Sequence, residues 1–139
     1  MHIEFSPANH LDKEEILQFW QSNTENHSRP FDSIDAIIRL LERDPQSLIL
    51  ARFEGKIVGT VIAAWDGWRG SIYRLAVDKN IKGQGIGRQL MENAEERLKL
   101  TGATRVNAVV CEENVEAHAF YQRLGYSKQL EWARWIKNL

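Results

Sequence analysis

The chain lacks the features that stabilise secreted and membrane-spanning proteins. Its 139 residues include one cysteine, Cys111, which excludes an internal disulfide and a structural metal site built on cysteines. No apolar run approaches the length of a transmembrane helix, and Met1 to Glu4 lack the basic and apolar segments of a secretion signal. We therefore expect a cytoplasmic protein that does not bind a membrane.

Charge of one sign and clustered histidines are also lacking. A net charge of −1 gives no sign of nucleic-acid binding. The histidines show no spacing typical of metal ligands, so no metal site is expected. An apolar content of 43% and a charged content of 27% are ordinary for a globular protein. The length predicts a single domain over residues 1–139. The four histidines are His2, His10, His27 and His118.

Hydrophobic periodicity predicts a mixed α/β order in which hairpins come first and a strand–helix–strand crossover follows. The caps are clear: Ser33 begins a helix that ends near Asp44, before Pro45, and Gly102 ends a later one. The predicted strands are Ile3 to Phe5, Ser47 to Phe53, Lys56 to Trp65, Ser71 to Val77, Val106 to Cys111 (buried and parallel to its neighbour) and one or two within Tyr126 to Ile136. The predicted helices are Leu11 to Asn23, Ser33 to Asp44, Ile86 to Gly102 and Asn114 to Leu124.

The most informative segment lies between the strand at 71–77 and the helix that follows it. Alternate glycines allow a tight turn in which consecutive N–H groups point at one oxyanion, and the next helix adds its unpaired N–H groups and dipole. Flanking positive charge makes a diphosphate the natural ligand. A Rossmann loop needs glycine where Arg88 stands, and the Gly-Lys-Ser/Thr ending of a P-loop is missing. The segment consists of Lys82, Gly83, Gln84, Gly85, Ile86, Gly87 and Arg88.

Two motifs together resemble the GCN5-related N-acetyltransferase (GNAT) family. The glycine segment is similar to the family's Arg/Gln-x-x-Gly-x-Gly/Ala loop, with Lys82 at the position where arginine or glutamine is usual. The second signature, Asn-x-x-Ala-x-x-φ-Tyr-x-x-x-Gly-Phe/Tyr, is matched by Asn114, Ala117, Phe120, Tyr121, Gly125 and Tyr126. Length and element order also resemble the small bacterial subgroup of YpeA-like proteins and ribosomal-protein alanine acetyltransferases.

The resemblance implies a fold and a cosubstrate. The fold is a twisted, mostly antiparallel sheet of six to seven strands, splayed at the cofactor site and flanked by about four helices. Acetyl-CoA would place its pyrophosphate on the N–H groups of Gly83 to Arg88. Its pantetheine arm would pair with the strand edge at Leu75, Ala76 and Val77. A backbone N–H near Leu75 would polarise the thioester carbonyl.

The resemblance also implies the chemistry: direct attack of a primary amine on the thioester in a ternary complex. Tyr121 would give a proton to the departing CoA thiolate, while Asn114 would cap its helix and, with Ala117, contact the cofactor. The glutamate that acts as base in related alanine acetyltransferases is replaced by Val109, so the base is not identified. Two alternatives therefore stay open: a degenerate module that binds acetyl-CoA or CoA, and an acyltransferase that uses another acyl-CoA.

The acceptor amine, a small molecule or a protein N-terminus, is expected between the first two helices and the turn at 65–70. Aromatic side chains there can stack on a cation or a ring, and Asp66 can bind a cation, although core packing explains Trp20 equally well and the turn explains Asp66. A homodimer through the final strands is a further expectation, since an edge strand that carries Trp132 and Trp135 is a pairing surface. The acceptor surface consists of Trp20, His27, Arg29, Phe31, Asp66 and Trp68.

Overall fold

A computed structural model describes residues 1–24 and 30–139 of the chain. The backbone falls into two compact units, residues 1–109 and 110–139. Among the described residues no helix is long and apolar enough to cross a membrane. The strands are β1 (Glu4–Pro7), β2 (Leu48–Phe53), β3 (Lys56–Trp65), β4 (Gly70–Val77) and β5 (Val106–Ala108), and the helices are α1 (Lys13–Asn23), α2 (Ile34–Arg43), α3 (Ile86–Thr101) and α4 (Val115–Arg123).

The first unit is built on one sheet whose strands follow the chain order β1-β2-β3-β4-β5. The first four strands pair antiparallel with their neighbours, and β5 pairs parallel with β4 across α3. This arrangement confirms the predicted order of hairpins followed by a crossover. It places the end of β4, the turn after it and the start of α3 at one end of the sheet.

The two faces of the sheet are covered by different helices. Leu48, Leu50 and Ile62 belong to the core that buries the apolar faces of α1 and α2. Helix α3 packs on β2, β3 and β4 and buries an apolar stripe of its own. It comes so close that a Cβ added to Gly59 would lie 2.8 Å from Leu90 Cδ1. The absence of a side chain at Gly59 therefore allows α3 to pack this close to β3.

Arginine–carboxylate pairs tie helices to the sheet at two places. Arg97 on α3 donates through Nη1 to the carbonyl of Ala63 at 2.7 Å and through Nη2 to the Asp44 carboxylate. Arg52 on β2 donates to Asp12 at 2.7 Å and to Glu15 at 3.1 Å, near the start of α1. Both arginine side chains are largely buried.

The second unit contains α4, and its Asn114 cap is confirmed, because the side-chain oxygen accepts the N–H of Ala117 at 3.0 Å. The predicted strands within Tyr126 to Ile136 are wrong, because that segment has no regular secondary structure. The described residues hold five strands instead of the predicted six to seven. The homodimer expectation therefore loses its premise of a terminal edge strand and stays a prediction, as does the single domain.

Candidate functional site

Strand β4 is irregular where a thioester was expected to bind. Thr60 pairs with Ala76 and Ile62 pairs with Tyr73, so two residues of β4, Arg74 and Leu75, stand opposite Val61 alone. This is a β-bulge. Arg74 adopts a left-handed conformation with φ of 51°, which is uncommon for any residue other than glycine. The bulge changes the direction of the strand immediately before Leu75 to Val77.

The same part of β4 has a free edge. The parallel ladder with β5 runs only from Gly70–Val106 to Ile72–Ala108. From Tyr73 onward no described strand pairs with β4 on that side. An extended ligand that carries amide groups can pair with an edge of this kind. The expected pantetheine partners, Leu75, Ala76 and Val77, lie on this unpaired stretch.

The glycine segment follows β4 after a short turn and leads into α3. Gly83 and Gly85 have φ values of 86° and 78°, a conformation that glycine adopts without strain. The first intrahelical hydrogen bond of α3 is donated by Gln89 N–H to the Gly85 carbonyl. The N–H groups of Ile86, Gly87 and Arg88 therefore have no acceptor within the helix.

Helix α3 also lacks a side-chain cap at this end. Its N-cap is Gly85, which has no side chain that could accept those N–H groups. The segment from Lys82 to Gly85 is exposed to solvent. The start of this 16-residue helix thus presents backbone donors and the positive end of the helix dipole to solvent, an arrangement suited to an anion.

Exposed basic side chains border the start of α3. Lys82 and Arg88 are both exposed. Arg88 Nε lies 3.3 Å from Glu92 Oε1 one helical turn further on, and both side chains are more than 60% exposed. An exposed pair of this kind is weak, so a bound phosphate can compete for the guanidinium.

The second unit holds Asn114, Ala117 and Tyr121 on α4 or at its start. The rings of Tyr121 and Tyr126 meet edge to face, with centroids 5.3 Å apart. Burial raises the pKa of Tyr121 to about 12. The phenol is therefore protonated throughout the physiological range and can act as a hydrogen-bond donor.

The residues expected at the acceptor surface differ in how exposed they are. Trp20 is buried in the core at 3% exposure, and its indole N–H donates to Thr60 Oγ1 at 2.9 Å. This burial favours core packing over contact with an acceptor. Phe31 and Trp68 are 87% and 73% exposed. His27 and Arg29 lie outside the described residues.

Asp66 is held in the turn between β3 and β4. Its Oδ1 accepts the N–H groups of both Trp68 and Arg69 at 2.7 Å. These hydrogen bonds, that from Arg69 first, hold the pKa of Asp66 below its ordinary value. The carboxylate thus has a structural role in the turn, and its contact with an acceptor stays a prediction.

Position 109 holds a valine in place of the expected glutamate base. Val109 is 64% exposed and ends the first unit. The predicted buried strand from Val106 to Cys111 is shorter than expected, because β5 ends at Ala108 and Cys111 is exposed. Glu112 pairs with Lys128, and the hydrogen bond from that ammonium lowers the pKa of the Glu112 carboxyl, which makes it a weak base.

These features match a known family along most of the chain. The model of the acetyltransferase (GNAT) family matches residues 12–126. The chain belongs to the GNAT acetyltransferase family. A Yersinia enterocolitica protein that is named an acetyltransferase is 33% identical to this GNAT chain over 119 residues. The match covers 85% of this chain and 83% of that protein. A Sodalis glossinidius protein with the same designation is 30% identical over 128 residues, covering 91% and 89%.

Solved structures support the GNAT fold. A subunit of the NatC complex bound to Gag peptide and CoA superposes with a TM-score of 0.80 at 21% identity, covering 93% of this chain and 87% of that one. The ribosomal-protein-S18-alanine N-acetyltransferase of Escherichia coli gives a TM-score of 0.75 at 21% identity, covering 92% and 79%. The chain is therefore a GNAT acetyltransferase by sequence, and its fold is the family's.

Two residues of the site were missed by sequence reasoning. Arg74 forms the bulge, and Asp32 accepts a hydrogen bond from its Nε at 2.9 Å. Their 42-residue separation gives no local pattern that predicts a pair. The one available signal was an arginine inside the apolar strand that leads to the glycine segment.

Proposed function

We propose that this acetyltransferase moves the acetyl group of acetyl-CoA to a primary amine by direct attack in a ternary complex. The observation that carries the proposal is the unpaired edge of β4, which leads directly into the glycine segment and the uncapped start of α3. A strand edge suits the amides of the pantetheine arm, and the helix start suits a pyrophosphate. The β4 edge and the start of α3 follow each other along the chain, just as the pantetheine arm and the pyrophosphate are neighbours in CoA.

The chemical step needs groups that act on both sides of the thioester. The neutral amine nitrogen attacks the carbonyl carbon, the C–S bond breaks, and an amide and CoA thiolate form. A backbone N–H near Leu75, placed by the bulge, would stabilise the oxygen as charge develops on it. The amine must lose its proton before attack, and in the absence of a carboxylate at Val109 we assign that step to solvent.

Tyr121 is proposed to assist the departing thiolate. With its pKa raised to about 12, its phenol keeps its proton and stays available as a donor. It is a weaker acid than a thiol, whose pKa is near ~8.5. We therefore propose that Tyr121 stabilises the forming thiolate through a hydrogen bond. The thiolate's final proton comes from solvent or from the positively charged amine nitrogen of the tetrahedral intermediate, which loses it as the amide forms.

The exposed Val109 favours a second candidate, a module that binds acetyl-CoA or CoA without transfer. Calorimetric titration with acetyl-CoA, CoA and ATP tests what the two candidates share. Saturable binding of the first two, and not of ATP, is expected. Absence of binding by folded protein would contradict both candidates.

Thiol release separates the candidates. Acetyl-CoA is mixed with phenethylamine, spermidine or an alanine-initiated tetrapeptide, and free CoA is measured, with propionyl-CoA and succinyl-CoA as alternative donors. If the protein is a transferase, we expect amine-dependent release that falls by about 10²- to 10³-fold in Tyr121→Phe, the range for loss of one hydrogen-bond donor to a developing negative charge. Binding without amine-dependent release for any donor would favour the module.

A further inference from the structure

Four side chains from four parts of the first unit meet at the β4 bulge. Trp20 Nε1 on α1 donates to Thr60 Oγ1 on β3 at 2.9 Å, and Thr60 Oγ1 donates to the Arg74 carbonyl at 2.8 Å. Arg74 donates through Nε to Asp32 Oδ1 at 2.9 Å and also through Nη2. The guanidinium lies 5.8 Å from the centre of the Trp20 ring. The bulge is therefore held from its carbonyl and from its side chain at once.

The conformation of Arg74 needs this support. A left-handed φ of 51° is unfavourable for arginine and persists only where the surroundings fix it. The Thr60 hydroxyl and the Asp32 carboxylate supply those constraints, and the side chains of the Arg74–Asp32 pair are only 13% and 18% exposed. Strained backbone that is fixed from several sides is typical of functional positions.

The pair also connects two expected subsites. Leu75 follows Arg74 directly, and Phe31, which is 87% exposed, precedes Asp32. The register places Tyr73 on the same face of the sheet as Ile62, towards α1 and α2, and Tyr73 is 53% exposed. The Asp32–Arg74 pair thus joins the segment before α2, on the acceptor side, to the backbone that is proposed to polarise the thioester.

We infer that Arg74, anchored by Asp32, is a positioning residue that sets the backbone at Leu75 and the segment around Phe31 in register with each other. This inference rests on the proposed function. Neither side chain needs to touch the reacting atoms. Their effect on the reaction passes through the geometry of the bulge, because small errors in the placement of reacting groups are costly.

The molecule offers a matched control. Arg97 and Asp44 form another arginine–aspartate pair of similar burial, with side chains 16% and 23% exposed, between α3 and the end of α2. If the Asp32–Arg74 pair is merely structural, Asp32→Asn and Asp44→Asn will behave alike. If it positions the bulge, only Asp32→Asn will change turnover. Arg74→Gly is a second variant, because glycine accepts the φ of this position and removes only the side-chain anchor.

The first measurement is kinetic, with acetyl-CoA and the amine from the panel that wild type uses best. In Asp32→Asn and Arg74→Gly we expect kcat to fall by about 10- to 100-fold and the KM for the amine to rise. In Asp44→Asn we expect stability to fall and kcat per folded molecule to stay at the wild-type value. Equal kcat in wild type and Asp32→Asn would overturn the inference.

The second measurement does not depend on activity. Amide hydrogen exchange of the free protein should show faster exchange at 74–76 and 31–33 in Asp32→Asn, and wild-type exchange there in Asp44→Asn. Unchanged exchange at both segments in Asp32→Asn would overturn the inference whatever the activity of wild type. Failure of the wild-type protein to bind acetyl-CoA in the titration would instead contradict the proposed function, so the two failures are distinguishable.

Discussion

Strand β4 is regular from Gly70 to Ile72, where it pairs on both edges, but from Tyr73 to Val77 it carries a bulge and has no described partner on the β5 side. Each half has its own arginine–aspartate pair. Arg97 donates to the carbonyl of Ala63, which pairs with Ile72 in the regular half. Asp32 and Arg74 hold the irregular half.

The difference separates stability from function within one strand. In the regular half the backbone groups of β4 are already paired with neighbouring strands. Replacing a side chain that packs there should therefore lower the free energy of unfolding without changing ligand binding or turnover. Side chains around the irregular half hold a backbone that is left open for a ligand. Each substitution below tests that division with a partner substitution in the other half or outside β4.

The largest expected effect on stability is that of Arg97→Met. The substitution keeps an apolar stem, but it leaves the Asp44 carboxylate and the Ala63 carbonyl without their donor. Loss of one partner of a buried ion pair predicts a decrease of about 3 kcal/mol in the free energy of unfolding, with kcat/KM of the folded protein unchanged. Urea denaturation gives the first quantity and thiol release the second. Loss of turnover at normal stability would contradict a purely structural role for Arg97.

The next effect concerns Gly59, which pairs with Val77 at the irregular end. In Gly59→Ala the new Cβ meets Leu90 Cδ1 at 2.8 Å, Ile86 Cγ2 at 3.2 Å and the Ala76 carbonyl at 3.3 Å. Overpacking there predicts a loss of about 2 kcal/mol and, because the first turn of α3 moves, weaker binding of acetyl-CoA.

Gly70→Ala is the matched control in the regular half. There the Cβ would lie 3.3 Å from the Arg105 carbonyl and from both Leu98 methyl groups. The expected loss is less than ~1 kcal/mol, because alanine is favoured over glycine inside a strand, and binding should be normal. If Gly70→Ala weakened acetyl-CoA binding and Gly59→Ala left it unchanged, the assignment of the two halves would be reversed.

A smaller effect is expected from Gly85→Ala, which places a Cβ at a φ of 78°. The left-handed conformation costs about 1–2 kcal/mol for alanine. Gly102→Ala, at the C-cap of the same helix with φ of 106°, should cost a similar amount. Only the first should weaken acetyl-CoA binding in a calorimetric titration. Equal affinities in the two variants would show that the start of α3 holds no anion.

The smallest effect at neutral pH is that of Tyr121→Phe on stability. The phenol pKa is about 12 in the folded chain against an ordinary value of 10.0, so both states are protonated below pH 10. Between pH 10 and 12 the unfolded chain loses its proton first, and wild-type stability falls as the pH rises. In Tyr121→Phe this fall in stability at high pH should be smaller. In Tyr73→Phe, which alters an exposed tyrosine, the contribution of Tyr121 to the fall should persist. Denaturation midpoints at pH 7 to 11 test this.

Local signals account for what the sequence predicted well. The caps at Ser33, Asn114 and Gly102 were predicted because each depends on one residue and its immediate neighbours, and all three are present. The glycine segment was found for the same reason, since its φ values and the helix after it are properties of a few adjacent residues. The parallel pairing of β5 followed from the strand–helix–strand order.

Long-range pairing accounts for what was not predicted. One or two strands were predicted within Tyr126 to Ile136, but a strand exists only where a partner backbone pairs with it, and no local pattern shows that partner. The bulge at Arg74 and its anchor at Asp32 are separated by 42 residues, and an arginine within an apolar strand does not by itself identify its partner. For Trp20 the sequence left core packing and acceptor binding open, and the hydrogen-bond partner of its indole, Thr60, lies 40 residues away.

The glycine N-cap of α3 links folding to ligand supply. A helix start whose donors have no acceptor within the helix gains a cap when an anion binds, so occupancy adds to the free energy of unfolding as RT ln(1 + [L]/Kd). At a hundredfold excess over Kd this amounts to about 2.7 kcal/mol. Under the proposed function, the lifetime of this protein against proteolysis would rise and fall with the acyl-CoA pool, and depletion of its own cosubstrate would hasten its removal.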